Sequence, residues 1–580
     1  MRVWLKQQFY PDRNMYAVLW LLLPLIIGVV VNRYMPRRLP DDLLQQIQIY
    51  EDTNLREKAF TLLENLLDEK PMDLGIHYRY LSNYCEVYRN SGESKSGKEN
   101  IHDRYESMTK NAETSGIGNY GLGYLQACQK NYQEALGYYS QVSNTEQKYL
   151  NNSIGYAYKI LGDEEKAETY FKNEITLNGN LEGAVYNLVG LYKKQGETQK
   201  LRILIEDEKT KAYAGTDAKS YVALRSGQII TYLGLVYIQP FRYINGLAAV
   251  YALMVCGIWF FYLRRLNPFT REPSPLAILA LVSGAFMALT CFILYDLWFL
   301  INPISPDESM LNDLIYFIFH VGIIEESVKF LPVVCIILIT RERVSDPTDL
   351  VMYGGLTALG FATLENSLYF SVLGVRIINA RFIVSTVLHM AETMLLCYLW
   401  ARARYVIFRN ENIAILAGFC LVVLSHGLFD FFLTTQIPAF ILLAVAQIAI
   451  LGYFSGRIIL SCILSSPWSA VILTSLTNRR LNNYHFLFSS AAVLMIVSFI
   501  HTNYQYATEI ANYWLGFGVI ITIFFSALTL FPLANLGFAP PFPNYTTKKK
   551  KSYHPVKPAV SSLEQSIFTT LYDSNKDKAS

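Results

Sequence analysis

The chain has 580 residues and a formal net charge of +3, a balance that gives no reason to expect nucleic acid as a partner. Charged residues make up 17% of it, against roughly 25% in soluble domains, while apolar residues reach 52% and aromatic ones 14%. These proportions exclude a purely soluble enzyme and lead us to expect an all-α membrane protein with one soluble segment.

In chain order, a stretch 1–14 leads into an apolar run, 15–31, that ends in Val-Val-Val-Asn-Arg without a small-residue cleavage pattern and so reads as a retained signal-anchor helix. Residues 32–240 read as a soluble domain. Of the eight cysteines only Cys85 and Cys128 fall in it; Cys256, Cys291, Cys335, Cys397, Cys420 and Cys462 lie in apolar runs, and no disulfide framework is implied. Between 244 and 533, apolar stretches near the length that spans a bilayer occur at 244–263, 276–301, 312–339, 351–372, 382–400, 412–433, 437–456, 486–500 and 512–533. With the signal anchor they make about ten spanning helices, each of about 20 residues. After Pro543 the tail, 544–580, turns polar and Ser/Thr-rich around Lys548 to Lys551, and disorder is expected there.

Positively charged loops tend to stay in the cytoplasm. Arg264, Arg265 and Arg271 mark one such loop, Arg341 and Arg343 a second, Arg402, Arg404 and Arg409 a third, and Arg457, Arg479 and Arg480 a fourth. The intervening loops 302–311, 434–436 and 501–511 carry no Lys or Arg, and only 373–381 breaks the alternation, with Arg376 and Arg381. Both termini are therefore expected in the cytoplasm and residues 32–243 outside it.

The soluble segment repeats itself. Gly123-Tyr124, Ala135 and Tyr139 recur as Gly155-Tyr156, Ala167 and Phe171, and Ile154, Gly162, Ala167 and Phe171 recur as Leu188, Gly196, Leu201 and Ile205. Spacings of 32 and 34 residues imply stacked helical hairpins, with the small residue where two helices approach and the aromatic one turn later filling the gap. The pattern resembles the tetratricopeptide repeat, which implies a peptide or protein partner.

Ionisable residues inside spanning helices are costly and usually functional. Away from helix ends these are His320, Glu325, Glu326 and Lys329 on the fourth helix, Glu365 on the fifth, His389 and Glu392 on the sixth, and His426 and Asp430 on the seventh. Asp296 lies close to an outer end. Counted from the outer ends, Glu325, Glu365, His389 and His426 lie roughly 10 to 20 Å deep at 1.5 Å per residue, so four helices can present them together in the outer half of the bilayer. Lys329 is one turn from both Glu325 and Glu326 and can pair with either. Two adjacent buried carboxylates resist joint ionisation, which suits one of them to acid/base work. Asp430, four residues after His426, could orient that imidazole, and Glu392, three after His389, could do the same there. His320 reads as a core histidine, Lys329 as a charge partner, and Asn366 as either a site residue or a helix-to-helix hydrogen bond.

Glu325-Glu326-Ser-Val-Lys329, Phe361-Ala-Thr-Leu-Glu365-Asn366, His389 and His426-Gly-Leu-Phe-Asp430, in order on four consecutive helices, resemble the motifs of the PrsW family of intramembrane proteases and, more distantly, the CAAX prenyl endopeptidases. The resemblance covers roughly 245–460 within a protease region 244–533 whose core is 312–433. It implies hydrolysis of peptide bonds in membrane-anchored proteins such as anti-sigma factors, in a bacterial plasma membrane. It puts Glu325, Glu326, His389 and His426 in catalytic roles with Lys329, Glu365, Asn366 and Asp430 in support. Two mechanisms fit: Glu325 or Glu326 activates water while His389 and His426 position it, without metal, or His389, His426 and Glu365 hold zinc and a carboxylate of the fourth helix takes the proton. Two other classes compete: a non-enzymatic scaffold whose polar cluster only ties helices together, and a proton-coupled transporter, for which no two matching halves with broken helices are found.

Overall fold

The computed structural model describes residues 11–88, 101–143, 147–266, 274–303, 306, 309–340, 347–407, 410–435, 437–465 and 473–534, and every regular element among them is helical. Residues 1–10 and the tail lie outside the described residues.

In the segment that reads as soluble in sequence, called the soluble domain below, Leu43–Asp52, Arg56–Glu69, Leu74–Tyr88 and Ile101–Thr109 precede a series of helix pairs: Ser115–Cys128 with Tyr132–Tyr139, Leu150–Ile160 with Glu164–Thr176, Leu181–Gln195 with Thr198–Glu206, and Gly215–Arg225 with Ile229–Tyr237. Several starts are fixed by side-chain caps: Asp42, Asp163 and Asn180 accept from the N–H groups of Gln45, Lys166 and Gly183. One contact recurs between pairs. A Cβ on Gly123 would lie 2.5 Å from the Tyr139 ring and 3.1 Å from the Ala135 carbonyl, and one on Gly155 would lie 2.7 Å from the Phe171 ring and 3.2 Å from the Ala167 carbonyl. Glycine on the first helix thus makes room for the aromatic ring of the second. One expectation is corrected: Cys85 and Cys128 form a disulfide, their Cα atoms 5.7 Å apart, which ties Leu74–Tyr88 to Ser115–Cys128. Two cysteines 43 residues apart in sequence meet only through the stacking of helices, so their spacing could not announce the bond.

The long helices of the remaining chain are α1 (Pro11–Tyr34), α2 (Gly246–Leu266), α3 (Ser274–Ile301), α4 (Ile323–Ile339), α5 (Pro347–Leu373), α6 (Thr386–Ala401), α7 (Glu411–Thr434), α8 (Pro438–Ser465), α9 (Leu473–Gln505) and α10 (Thr508–Ala534). Among the described residues, 6 stretches are long and apolar enough to cross a membrane: Gly246–Arg264, Pro275–Ile301, Val375–Tyr405, Glu411–Thr434, Pro438–Ile459 and Phe486–Gln505. Leu19–Tyr34 and Thr508–Phe524 are apolar but shorter. The sequence reading of about ten spans also counted α4 and α5. α4 is only 17 residues long and carries Glu325, Glu326 and Lys329, while in α5 polar groups lower the hydropathy and most side chains are buried by neighbouring helices. α5 packs against α2, α3 and α6. Its crossing with α3 is closed by glycine on both sides, since a Cβ on Gly360 would overlap the Leu281 carbonyl and one on Gly284 the Thr357 carbonyl.

The soluble domain rests on the bundle at two places. At the first, the Arg37 N–H donates to the Thr508 hydroxyl and its carbonyl accepts from the Thr508 N–H, the Tyr50 hydroxyl donates to Glu509 (3.2 Å), Lys58 pairs with Glu509, and Arg376 donates to the Asp52 carbonyl. Ile510 is buried completely in the domain's own apolar cluster there. At the second, the Tyr232 hydroxyl donates to Asp296 (3.0 Å) near the end of α3, and Phe299 takes the edge of Tyr221 and the ammonium of Lys193.

Candidate active site

α4 follows a π-helical turn, Tyr316–Gly322, that lies against α7. Two glycines permit the close crossing: a Cβ on Gly427 would lie 2.5 Å from the Ile318 Cα, and one on Gly322 would lie 2.7 Å from the Val423 carbonyl oxygen. The result is that Glu325, in the first turn of α4, faces His426 of α7.

Around that pair the groups form a continuous network. Glu325 Oε2 lies 3.1 Å from His426 Nε2 and 3.4 Å from Lys329 Nζ, while its Oε1 accepts from the Tyr295 hydroxyl (3.0 Å). His426 Nδ1 is 2.9 Å from Glu392 Oε2, whose other oxygen accepts from Ser425 Oγ (2.7 Å); Gln447 in turn donates to Ser425. An Nδ1–H donated to Glu392 leaves Nε2 a bare lone pair. That lone pair faces Glu325 Oε2, which completes no hydrogen bond. Two acceptors 3.1 Å apart, with the Lys329 ammonium 3.4 Å from the same Glu325 oxygen, make a place for a proton or a small cation.

The second imidazole sits beside the first, ring centres 5.3 Å apart. His389 Nδ1 accepts from the Lys329 ammonium (2.9 Å), and its Nε2–H donates to Glu365 Oε2 (2.8 Å). The same Glu365 oxygen pairs with Arg381 Nη2 (2.7 Å); Arg381 Nε donates to Asn366 Oδ1 (2.6 Å), and its guanidinium stacks over Tyr369. Asn366 also donates to Thr386 (3.1 Å).

Exposure sorts these groups into a front and a back. Glu326, Lys329 and Glu392 have no accessible surface and His426 retains 1%, whereas the side chains of Glu325, Glu365 and Asp430 keep 15%, 23% and 31%. The mouth is therefore lined by Glu325, Glu365 and Asp430, with the Glu326–Lys329 pair (2.6 Å) forming the back wall. Carboxyl groups outnumber the permanent cations Lys329 and Arg381, so the cluster as a whole attracts positive charge.

All eight residues singled out from sequence meet here: Glu325, Glu326, Lys329, Glu365, Asn366, His389, His426 and Asp430. Their pairings differ in part from expectation. Glu392 serves His426 across the helix interface, not His389 on its own helix, while Asp430 lies 3.5 Å from His426 Nε2. Glu325, not Glu365, groups with both imidazoles, with one donor atom from each within 4.8 Å of the others. His320 stays outside, stacked between Tyr295 and Tyr316. Tyr295, Ser425 and Gln447 carried no sequence signal. Arg381 did: it is one of the two arginines that break the charge alternation, and both are consumed by contacts, Arg381 at Glu365 and Arg376 at Asp52.

The oxygen of Glu325 and the nitrogens of His389 and His426 are a donor set that fits zinc, with the Glu325 oxygen facing an imidazole nitrogen. His389 would have to release Lys329 or Glu365 to join it.

Comparison with known proteins agrees with this geometry. Residues 272–456 match the family described as PrsW family intramembrane metalloprotease. The Protease PrsW of Clostridioides difficile is 29% identical over 206 residues, 34% of this chain and 84% of the relative. Those of Shouchella clausii and Geobacillus kaustophilus are 29% and 28% identical, each over 20% of this chain and 52% and 50% of their own lengths. The chain thus spans about half the length of the latter two relatives.

Proposed function

We propose, from the likeness of this chain to PrsW-family intramembrane peptidases, that it hydrolyses a peptide bond of a membrane-anchored protein with a water bound at the accessible front of Glu325 and His426. The observation that carries this reading is the pair of facing acceptors, Glu325 Oε2 and His426 Nε2, at the accessible front of an otherwise buried network. Glu325 takes the water's proton. Glu392 fixes the tautomer and rotation of His426 so that Nε2 points at the water. His389, braced by Lys329 and by Glu365 with Arg381 and Asn366, stands beside it and turns its Nε2–H to the scissile carbonyl by releasing Glu365. Glu326 neutralises Lys329 at the back and touches no substrate. Glu325, His389 and His426 would hold zinc, which when bound supplies Lewis acidity and a more acidic water.

The wider arrangement belongs to the same proposal. About ten helices cross the membrane, the polar α4 and α5 shielded by the rest, with both termini in the cytoplasm of a bacterium and residues 32–243 outside. The Cys85–Cys128 disulfide supports that side, since such bonds persist outside the reducing cytoplasm. The helix pairs are tetratricopeptide-like and recruit a peptide or protein partner. Anti-sigma-factor-like membrane proteins are the substrate class that the family resemblance favours.

The test compares Glu325→Gln with Glu326→Gln in proteoliposomes on a single-span substrate, with metal content measured by mass spectrometry in the wild type and in a His389→Ala, His426→Ala double variant. Loss of cleavage in Glu325→Gln with cleavage kept in Glu326→Gln is expected. About one zinc per chain that disappears in the double variant would assign the metal route. Undiminished cleavage by Glu325→Gln would sink the proposal.

A further inference from the structure

The two contacts of the soluble domain flank the mouth. At the first, Arg376 reaches Asp52 from five residues before Arg381, which holds Glu365. At the second, Asp296 is held by Tyr232 and adjoins Tyr295, which donates to Glu325. Glu325 and Glu365 are the two carboxylates of the front, so one foot stands beside each. The helix pairs between residues 74 and 206 run from one foot to the other. Tyr316 marks the span between them: Asp217 and Tyr186 of the soluble domain and Asp430 and Glu325 of the site all act on it electrostatically.

We infer that the soluble domain is a bridge over the mouth that admits only membrane proteins whose extracytoplasmic segment is short or unfolded. The inference rests on the peptidase reading above. A bridge held at both ends cannot swing aside on one hinge; widening the gap means parting Glu509 from Tyr50 and Lys58 and lifting Ile510 from its buried seat, or parting Asp296 from Tyr232. An extended chain is narrower than a helix of about 10 Å diameter. A folded domain of about 100 residues has a radius of gyration near 13 Å and must displace the bridge to bring its membrane anchor to Glu325.

The experiment uses two single-span reporters with the same membrane helix, one bearing a short unstructured extracytoplasmic tail and the other the same tail followed by a folded domain. Wild-type protein in proteoliposomes should cleave the bulky reporter about tenfold more slowly or worse. A Glu509→Ala, Asp296→Ala variant should cleave it nearly as fast as the short one. Equal wild-type rates on both reporters overturn the inference. A second measurement needs no cleavage and no loosened variant: Tyr369→Cys, in a background with the exposed Cys335 and Cys420 changed to serine, should react with a small methanethiosulfonate but not with a maleimide carried on a polymer the size of a folded domain. Equal reaction with both reagents also overturns it. If neither reporter is cut while the labelling remains size-selective, the peptidase reading fails and the bridge stands.

Discussion

Glu174, between two helix pairs of the soluble domain, and Glu325, in the membrane bundle, are both largely withdrawn from solvent, and the fold treats them oppositely. Glu174 accepts from three backbone N–H groups, those of Tyr149 (2.7 Å), Asn180 (2.6 Å) and Asn152 (3.1 Å), and is fully buried. Glu325 has one oxygen on Tyr295 and leaves the other facing a second acceptor. A buried carboxylate whose lone pairs are all used holds a loop in shape. One that is left a bond short, at the front of a cluster, is available for chemistry.

The sharpest way to break this contrast is Glu325→Gln, which should lower cleavage by about 10²–10⁴-fold while leaving the melting temperature unchanged. A variant that loses stability instead would make Glu325 a structural group like Glu174. Glu174→Ala should show the converse, a loss of about 2–4 kcal/mol in unfolding of the soluble domain, with unaltered turnover per folded molecule. Glu392→Gln tests whether orientation of His426 matters: cleavage should fall by about 10–100-fold, with metal affinity falling alongside if the site holds zinc. The smallest effect is in acid. At Glu168 burial pushes the carboxyl up, but hydrogen bonds from Lys172, Lys200 and Tyr192 outweigh it and bring it from 4.5 down to about 2. A carboxyl lowered on folding contributes stability above its unfolded value, so circular dichroism should show the soluble domain weakening as pH falls from about 4.5 towards 2, and Glu168→Gln should remove that dependence.

The residues of the site were legible in sequence because each polar group in an apolar helix stands out on its own. Their partners were not. Whether Glu392 serves His389, one turn away on its own helix, or His426 on another depends on how α6 is rotated against α7, where Gly418 of α7 lies close against Leu396 of α6. The count of crossing helices was least legible at α4, 17 residues long with three charged groups, and at α5, where polar residues thin the apolar signal. Arg381 shows what a missed signal looks like: a cation in a loop where the charge pattern forbids one has been drawn inward by a carboxylate. The helix pairs were visible through glycine and aromatic spacing, whereas the two feet were not, since Tyr50 meets Glu509 across 459 residues of chain.

That last separation has a consequence for biogenesis. α1 packs on α9 and α10, with Asn32 bonded to Asn512 (2.9 Å) and Gly28 beside Leu515, and the apolar seat filled by Ile510 is built from the first hairpins of the soluble domain. The first hairpins of this segment therefore wait, with an unfilled socket, for helices that follow them by more than 400 residues to be inserted. A nascent or truncated chain lacking α9 and α10 has no first foot, so restriction of the mouth is in place only once the last helices have been inserted.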